Sequence, residues 1–316
     1  MPASVADAAR QRSEARAAGD WGTADRLRAE IEAAGWRVID RGVKYKLAPA
    51  SPPSIAVAGD IRYGRSDDVP SRLDEPPDGL ATVIVLGSDD APGLQRSLDA
   101  IDGNRPAGVG VVVVVDGRDI QTATDHEVIR TSAPLGRGAA LNIGLRRARA
   151  EVVVAVDVSI IPSGDVVTPL VEALRDPGVA VVGALGLASS DLLRFESATA
   201  SIRPVDVAAI QGDLMAFRRA DAAARGPIDE GFRSAGFLDV WLSLLLRDEG
   251  EGRTPRRAVV VPGLPFERAE PAPDRPANAA RRERLTRRNF YRVLDSYRTR
   301  PDLAVPEPVV RSGTDS

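Results

Sequence analysis

Gly110-Val111-Val112-Val113-Val114-Val115-Asp116-Gly117-Arg118-Asp119 is the stretch on which the fold turns. Five consecutive β-branched residues leave no wet face, so the run reads as a strand buried on both sides, as in a parallel sheet covered by helices. It stops abruptly on charged residues and a glycine, the composition of a strand end that faces solvent or a ligand. Working outward, Thr82–Leu86 and Val152–Val156 repeat the pattern, Glu127–Arg130 is a shorter strand and Val179–Gly183 a fifth. Helical spacing separates them at Pro92–Ile101, Gly138–Ala150 and Asp165–Leu174. Strands alternating with helices predict an α/β fold.

Around this core the chain has 316 residues, of which 43% are hydrophobic, enough for one α/β domain and a small extra module. A net charge of -3 gives no global attraction to nucleic acid or anionic lipid. There is no cysteine, and His126 is the only histidine, which excludes disulfides, thiolate metal sites and zinc sites built on several imidazoles. No charged start followed by an apolar run opens the chain, and the apolar run Val109–Val115 is far too short to span a bilayer, so a cytoplasmic protein is expected.

Four regions are expected. Residues 1–48 form a small module, with a helix near Val5–Ala18 and a second whose Ala24, Leu27, Ile31 and Ala34 share a face. Gly35 ends that helix, and a hairpin follows, turning at Arg41–Gly42. Residues 49–80 read as a proline-rich linker with one short strand at Ile55–Val57. Residues 81–300 form the main domain, in which 277–298 is a basic amphipathic helix. Residues 301–316 read as a disordered tail.

In an open α/β sheet, ligands bind at the carboxyl ends of the strands. Three ends carry polar groups: Ser88 and Asp89, Asp116, and Asp157 followed by Ser159. Acidic residues at neighbouring tips suit ribose hydroxyls and a cation. Between the third and fourth strands, Leu135-Gly136-Arg137-Gly138 leads into a helix. Its glycines permit a tight loop, its amides suit an anion, and Arg137 adds charge toward a diphosphate.

The residues from Thr82 to about Arg247 resemble the family 2 glycosyltransferases. Val114–Asp119 is similar to that family's second-strand motif, Gly136, Ala140 and Asn142 to the loop and helix that follow, and Val154–Ser159 to the segment carrying its DxD motif. Gln211–Arg219 is similar to the acceptor-side glycine segment, and Ile228–Phe232 to the stretch before the catalytic acid. The resemblance implies a GT-A fold: a mixed, mainly parallel sheet with helices on both faces. It also implies transfer from a nucleotide-diphospho-sugar, UDP-linked, to an unknown acceptor hydroxyl with inversion. Asp116 would then meet the nucleoside, Asp157 the diphosphate and its Mg²⁺ or Mn²⁺, and Asp239 would be the base. Ser88, Asp89, Gly136, Arg137, Asn142, Gly212 and Arg268 complete the expected binding set.

The departures point the other way. Ser159 stands where a carboxylate would bind the cation, and the segment Pro265–Glu270 has no histidine. Two readings follow: arginines such as Arg137 or Arg268 take over from the metal, or the protein binds a nucleotide without turnover. Arg16 to Asp40, with Asp20-Trp21, Ala24-Asp25 and Gly35, resembles the C-terminal tail of cysteinyl-tRNA synthetases, a region that contacts tRNA in that family. A docking module is the simpler expectation for it. The arginines of 277–298 offer a peripheral membrane contact.

Overall fold

The computed structural model describes residues 2–41, 44–87, 90–117, 119–198, 201–269, 276–307 and 309–310. The chain divides into two units, Met1–Arg65 and Ser66–Ser316. The expected turn at Arg41–Gly42 runs into residues 42 and 43, which lie outside the described residues, as do Ser88, Asp89 and Arg118 of the expected strand ends.

The first unit begins with helices α1 (Ala3–Ala17) and α2 (Trp21–Ala33), followed by strands β1 (Trp36–Arg41) and β2 (Lys44–Pro49), paired antiparallel. Asp20 caps α2 through the Thr23 amide at 3.0 Å. Gly35 adopts φ +78°, a conformation that ends a helix cheaply only in glycine. Ala24, Leu27 and Ile31 are buried as expected, whereas Ala34 is exposed because α2 has already ended. Val5, Ala9 and Ile31 make the core, with Trp36, Val38, Tyr45 and Leu47 packed on it. The buried Arg12 grips Asp40 with two hydrogen bonds of 3.0 Å. With Arg16 also beside it, that arginine holds the Asp40 carboxyl below its ordinary value. A second hairpin, β3 (Ile55–Val57) and β4 (Asp60–Tyr63), closes the unit.

The second unit carries β5 (Ala81–Leu86), α3 (Ala91–Asn104), β6 (Val109–Val115), β7 (Glu127–Thr131), α4 (Arg137–Arg147), β8 (Val152–Asp157) and β9 (Ile160–Pro162). Next come α5 (Val167–Ala173), β10 (Val179–Gly183), β11 (Gly186–Ala188), β12 (Glu196–Ser197), β13 (Val205–Val207) and β14 (Ala209–Ile210). The chain finishes with β15 (Leu214–Arg218), α6 (Arg219–Ala224), α7 (Leu238–Arg247), β16 (Arg257–Val260), β17 (Phe266–Arg268), α8 (Pro276–Tyr297) and β18 (Val309–Val310). Its main sheet runs β18-β13-β16-β10-β15-β8-β5-β6-β7. The pairs β5–β6, β5–β8, β6–β7 and β10–β16 are parallel, and β15 is inserted antiparallel between β8 and β10. Alternate residues of β5 serve opposite layers. Val83 and Val85 pack with Leu94, Leu98 and Ile101 of α3, and Ile84 meets α4 so closely that a Cβ on Gly144 would lie 2.4 Å from its side chain. Two-sided burial is why Val and Ile dominate these strands.

Two of the expected boundaries need correction. Residues 66–80 are not a linker but part of the larger unit. Val69 is fully buried, and the carbonyls of Val69, Pro70, Arg72 and Glu75 accept hydrogen bonds from Arg146, Arg147 and Arg219. Prolines preclude a strand ladder here, so arginine forks satisfy the backbone instead. Likewise 301–316 is not wholly a tail: Leu303 is fully buried, its carbonyl accepts from Arg247 at 2.8 Å, and β18 pairs with β13. Residues 308 and 311–316 lie outside the described residues. Among the described residues, no helix is long and apolar enough to cross a membrane.

Candidate functional site

Leu86 of β5 lies opposite Asp157 of β8 in the parallel ladder, and the amide of Asp157 donates to the carbonyl of Asp213 at 2.8 Å. The antiparallel β15 therefore starts where β8 ends, which puts two carboxylates from distant parts of the sequence at one tip. Here a cleft of about 530 Å³, counting the space open to solvent, lies over an apolar floor that includes Leu141, Ala155 and Met215. Arg137, Asp157, Gly212, Asp213 and Asp239 supply its polar groups. A mostly apolar concavity with a few convergent polar groups is the usual form of a small-molecule site.

Each aspartate has a different environment. Asp157 accepts from the Arg137 guanidinium at 2.6 Å and from the Ser159 amide at 3.0 Å. Burial pushes its carboxyl up, but Arg137 and the Ser159 amide outweigh that and leave it below its ordinary value. Asp213 is paired with Arg268. Burial, with Asp157 beside it, nevertheless leaves its carboxyl above the ordinary value despite the arginine. Asp239 lies in the first turn of α7, where its carboxylate accepts the Gly212 and Val240 amides, each at 2.9 Å. Burial dominates there too and raises its carboxyl above the ordinary range. Gly212 is confined by this contact, since a Cβ would sit 3.0 Å from that of Asp239. Phe237, just before α7, takes a left-handed conformation at φ 62°, a strained backbone of the kind found beside functional groups.

The expected binding set separates into two layers. Arg137, Asp157, Gly212 and Asp239 line the cleft, and Arg268 reaches it through Asp213. Asp116, Gly136 and Asn142 stand behind it. Asp116 accepts from the Thr131 hydroxyl at 2.8 Å and from the amides of Leu135 and Gly136, each at 2.7 Å. The Gly138 amide goes to the Phe232 carbonyl at 2.9 Å. Three amides of the expected anion-binding loop are thus already taken, two of them by Asp116. Asn142 is buried and clamps both the amide and the carbonyl of Ile228, each at 2.9 Å. Asp213 was missed as a site residue. Its signal was available: it stands between Gly212 and the first residue of β15, in a segment already singled out.

A divalent cation fits these groups poorly. Both oxygens of Asp157 are engaged, Ser159 offers no carboxylate, and guanidinium groups already pair with Asp157 and Asp213. Among the described residues, no three His, Cys, Asp or Glu side chains gather into a metal-binding group.

Residues 89–222 match the model for Glycosyl transferase family 2. Of the solved structures, GalNAc-T7 with UDP, GalNAc and Mn²⁺ superposes with a TM-score of 0.53 at 15% identity, over 70% of this chain and 48% of that one. The mannosyltransferase PcManGT from Pyrobaculum calidifontis, in complex with GDP-Man and Mn²⁺, gives 0.48 at 21% identity, over 75% and 70%. Over 50 residues, 16% of the chain, there is 50% identity to a cysteine–tRNA ligase of Opitutus terrae, covering 11% of that protein. The chain therefore spans about half of GalNAc-T7 and about a tenth of the ligase. The family match thus covers one continuous segment, residues 89–222, less than half of the chain, and the mixed, mainly parallel sheet has the GT-A fold.

Proposed function

We propose that this protein transfers a sugar from a nucleoside-diphosphate sugar, a UDP-sugar, to an acceptor hydroxyl with inversion at the anomeric carbon. The observation that carries this reading is a buried carboxyl, Asp239, in the same cleft as the Arg137–Asp157 pair at the tip of β8. The donor lies over the strand tips with its diphosphate toward Arg137 and its sugar toward Asp239.

Asp239 acts as general base. Its raised carboxyl makes it a stronger base than an ordinary aspartate, while the Gly212 and Val240 amides orient it. The acceptor oxygen gives its proton to Asp239 and bonds to the anomeric carbon from the face opposite the leaving group. The bond from that carbon to the phosphate oxygen breaks, and its electron pair departs with the nucleoside diphosphate. Attack in line with departure inverts the centre.

Incubation with a panel of UDP- and GDP-sugars tests this. Slow hydrolysis or transfer is expected with at least one donor, and Asp239→Asn should lower kcat by about 10²–10⁴-fold, the usual share of a general base. UDP affinity should change little, because an amide oxygen can still accept from Gly212. Turnover with no donor, alongside retained UDP binding, would replace this reading with a protein that binds a nucleotide without reacting it. The pairing of both Asp157 and Asp213 with arginines favours that alternative.

A further inference from the structure

We propose that the diphosphate is held by the guanidinium groups of Arg137 and Arg268 and not by a divalent cation, so that donor binding in this protein is independent of metal. The inference rests on the donor reading above and deepens it.

Three features of the cleft point to it. First, the carboxylates a cation would use are committed. Asp157 accepts from Arg137 on one oxygen and from the Ser159 amide on the other, and Asp213 accepts from Arg268. Ser159 is itself turned to Asp157, through its amide and its side chain, and its carbonyl accepts from Ala269 at 2.8 Å.

Second, three amides at the start of α4 are already taken. Those of Leu135 and Gly136 are taken by Asp116, and that of Gly138 by Phe232. What α4 presents to the cleft is the Arg137 side chain and, on the apolar floor, Leu141. The Gly136 backbone at φ +102° fixes where that side chain begins, and a Cβ on Gly136 would lie 2.8 Å from the Cα of Arg233.

Third, Arg268 stands on a backbone held from two sides. It faces Ile160 in the β9–β17 ladder, and the next residue is tied to Ser159. Its side chain is 45% exposed and that of Asp213 38%, so this pair is a solvent-screened contact that a better anion can displace. Guanidinium forks match phosphate as they match carboxylate, and they keep their charge at any working pH. Each aspartate thus holds its arginine in place until a phosphate takes over.

The test is titration calorimetry on the full chain, with UDP as probe and uridine as control, first in EDTA and then in millimolar Mn²⁺. UDP should bind in EDTA at least about tenfold more tightly than uridine, with Mn²⁺ changing its affinity by no more than about threefold. Arg137→Gln and Arg268→Gln should each weaken UDP about tenfold or more while leaving uridine unchanged, and Arg268→Lys should recover part of the loss. Arg268 is exposed, so its variant remains informative if Arg137→Gln fails to fold. Tightening of about tenfold or more by Mn²⁺, or wild-type UDP affinity in Arg268→Gln, would overturn the inference and leave the transferase reading standing. Failure to bind UDP or GDP in either buffer would remove both.

Discussion

Asp116 and Asp157 end two strands of one sheet, separated only by β5, yet they spend their charge in opposite ways. Asp116 faces three donors fixed within the protein: two backbone amides and a buried hydroxyl. None of them can leave without unmaking the loop before α4. Asp157 has one fixed donor, the Ser159 amide, and its other oxygen faces a guanidinium at the end of a long side chain. The first is a structural anion, and the second is the one that the proposed diphosphate contact would exchange. The lesson is that strand-end position brings a carboxylate to the right edge of the sheet, but its partners determine whether a ligand can use it.

Three substitutions sharpen or break that contrast, and the largest effect is expected at Gly117. There φ is +65°, and a Cβ would lie 2.1 Å from the Pro134 backbone nitrogen. Gly117→Ala should cost about 3 kcal/mol or more in urea unfolding, because conformational strain adds to overlap with backbone. A near-neutral result would show that the Asp116 loop is not rigid. Next is Asp116→Ala, which strips the Leu135 and Gly136 amides of their acceptor. It should destabilise by about 2 kcal/mol. Arg268→Gln, which removes an exposed pair, should cost less than about 0.5 kcal/mol in the same assay. If Asp116→Ala were as mild as Arg268→Gln, the distinction between fixed and exchangeable partners would fail.

The smallest effect is the pH dependence of stability, where the two kinds of cleft carboxyl carry opposite signs. Asp157 titrates below its ordinary value in the folded state, so its contribution is present above that value and is lost as the pH falls into the acid range. Asp239 titrates above its ordinary value, so the folded state holds its proton more tightly. Its contribution is full at acid pH and is lost as the pH rises through its raised value. Thermal melts between about pH 3 and pH 7, which bracket the ordinary carboxyl value, should separate the variants. Asp157→Asn should lose ground to the wild type as the pH rises, and Asp239→Asn should gain on it. Parallel curves would mean that neither carboxyl is shifted.

Much of this was legible in the chain before any coordinates. The runs Thr82–Leu86, Val109–Val115 and Val152–Val156 become β5, β6 and β8, because a strand covered on both faces needs apolar residues at every position. Arg137, Asp157 and Gly212 do line one cleft with Asp239, since strand tips and the turns after them share an edge. Asn142 shows where such reading stops. Its place on a helix after a glycine loop suggested a ligand contact, but its amide clamps Ile228, 86 positions away. Residues 66–80 misled for the same reason. Prolines show that no ladder forms, but not that Arg146, Arg147 and Arg219 supply donors from elsewhere.

By itself the sequence determined the alternating layers, the strand ends that carry charge, the breaks at glycine and proline, and the lack of a carboxylate at position 159. All of these follow from local composition and short-range spacing. Only the tertiary structure decided that Asp116 is consumed by its own loop, that Asp213 joins Asp157, and that Arg137 and Arg268 pair with them. A carboxylate has few lone pairs, and its neighbours in space take them, whether those neighbours are 2 or 55 residues away.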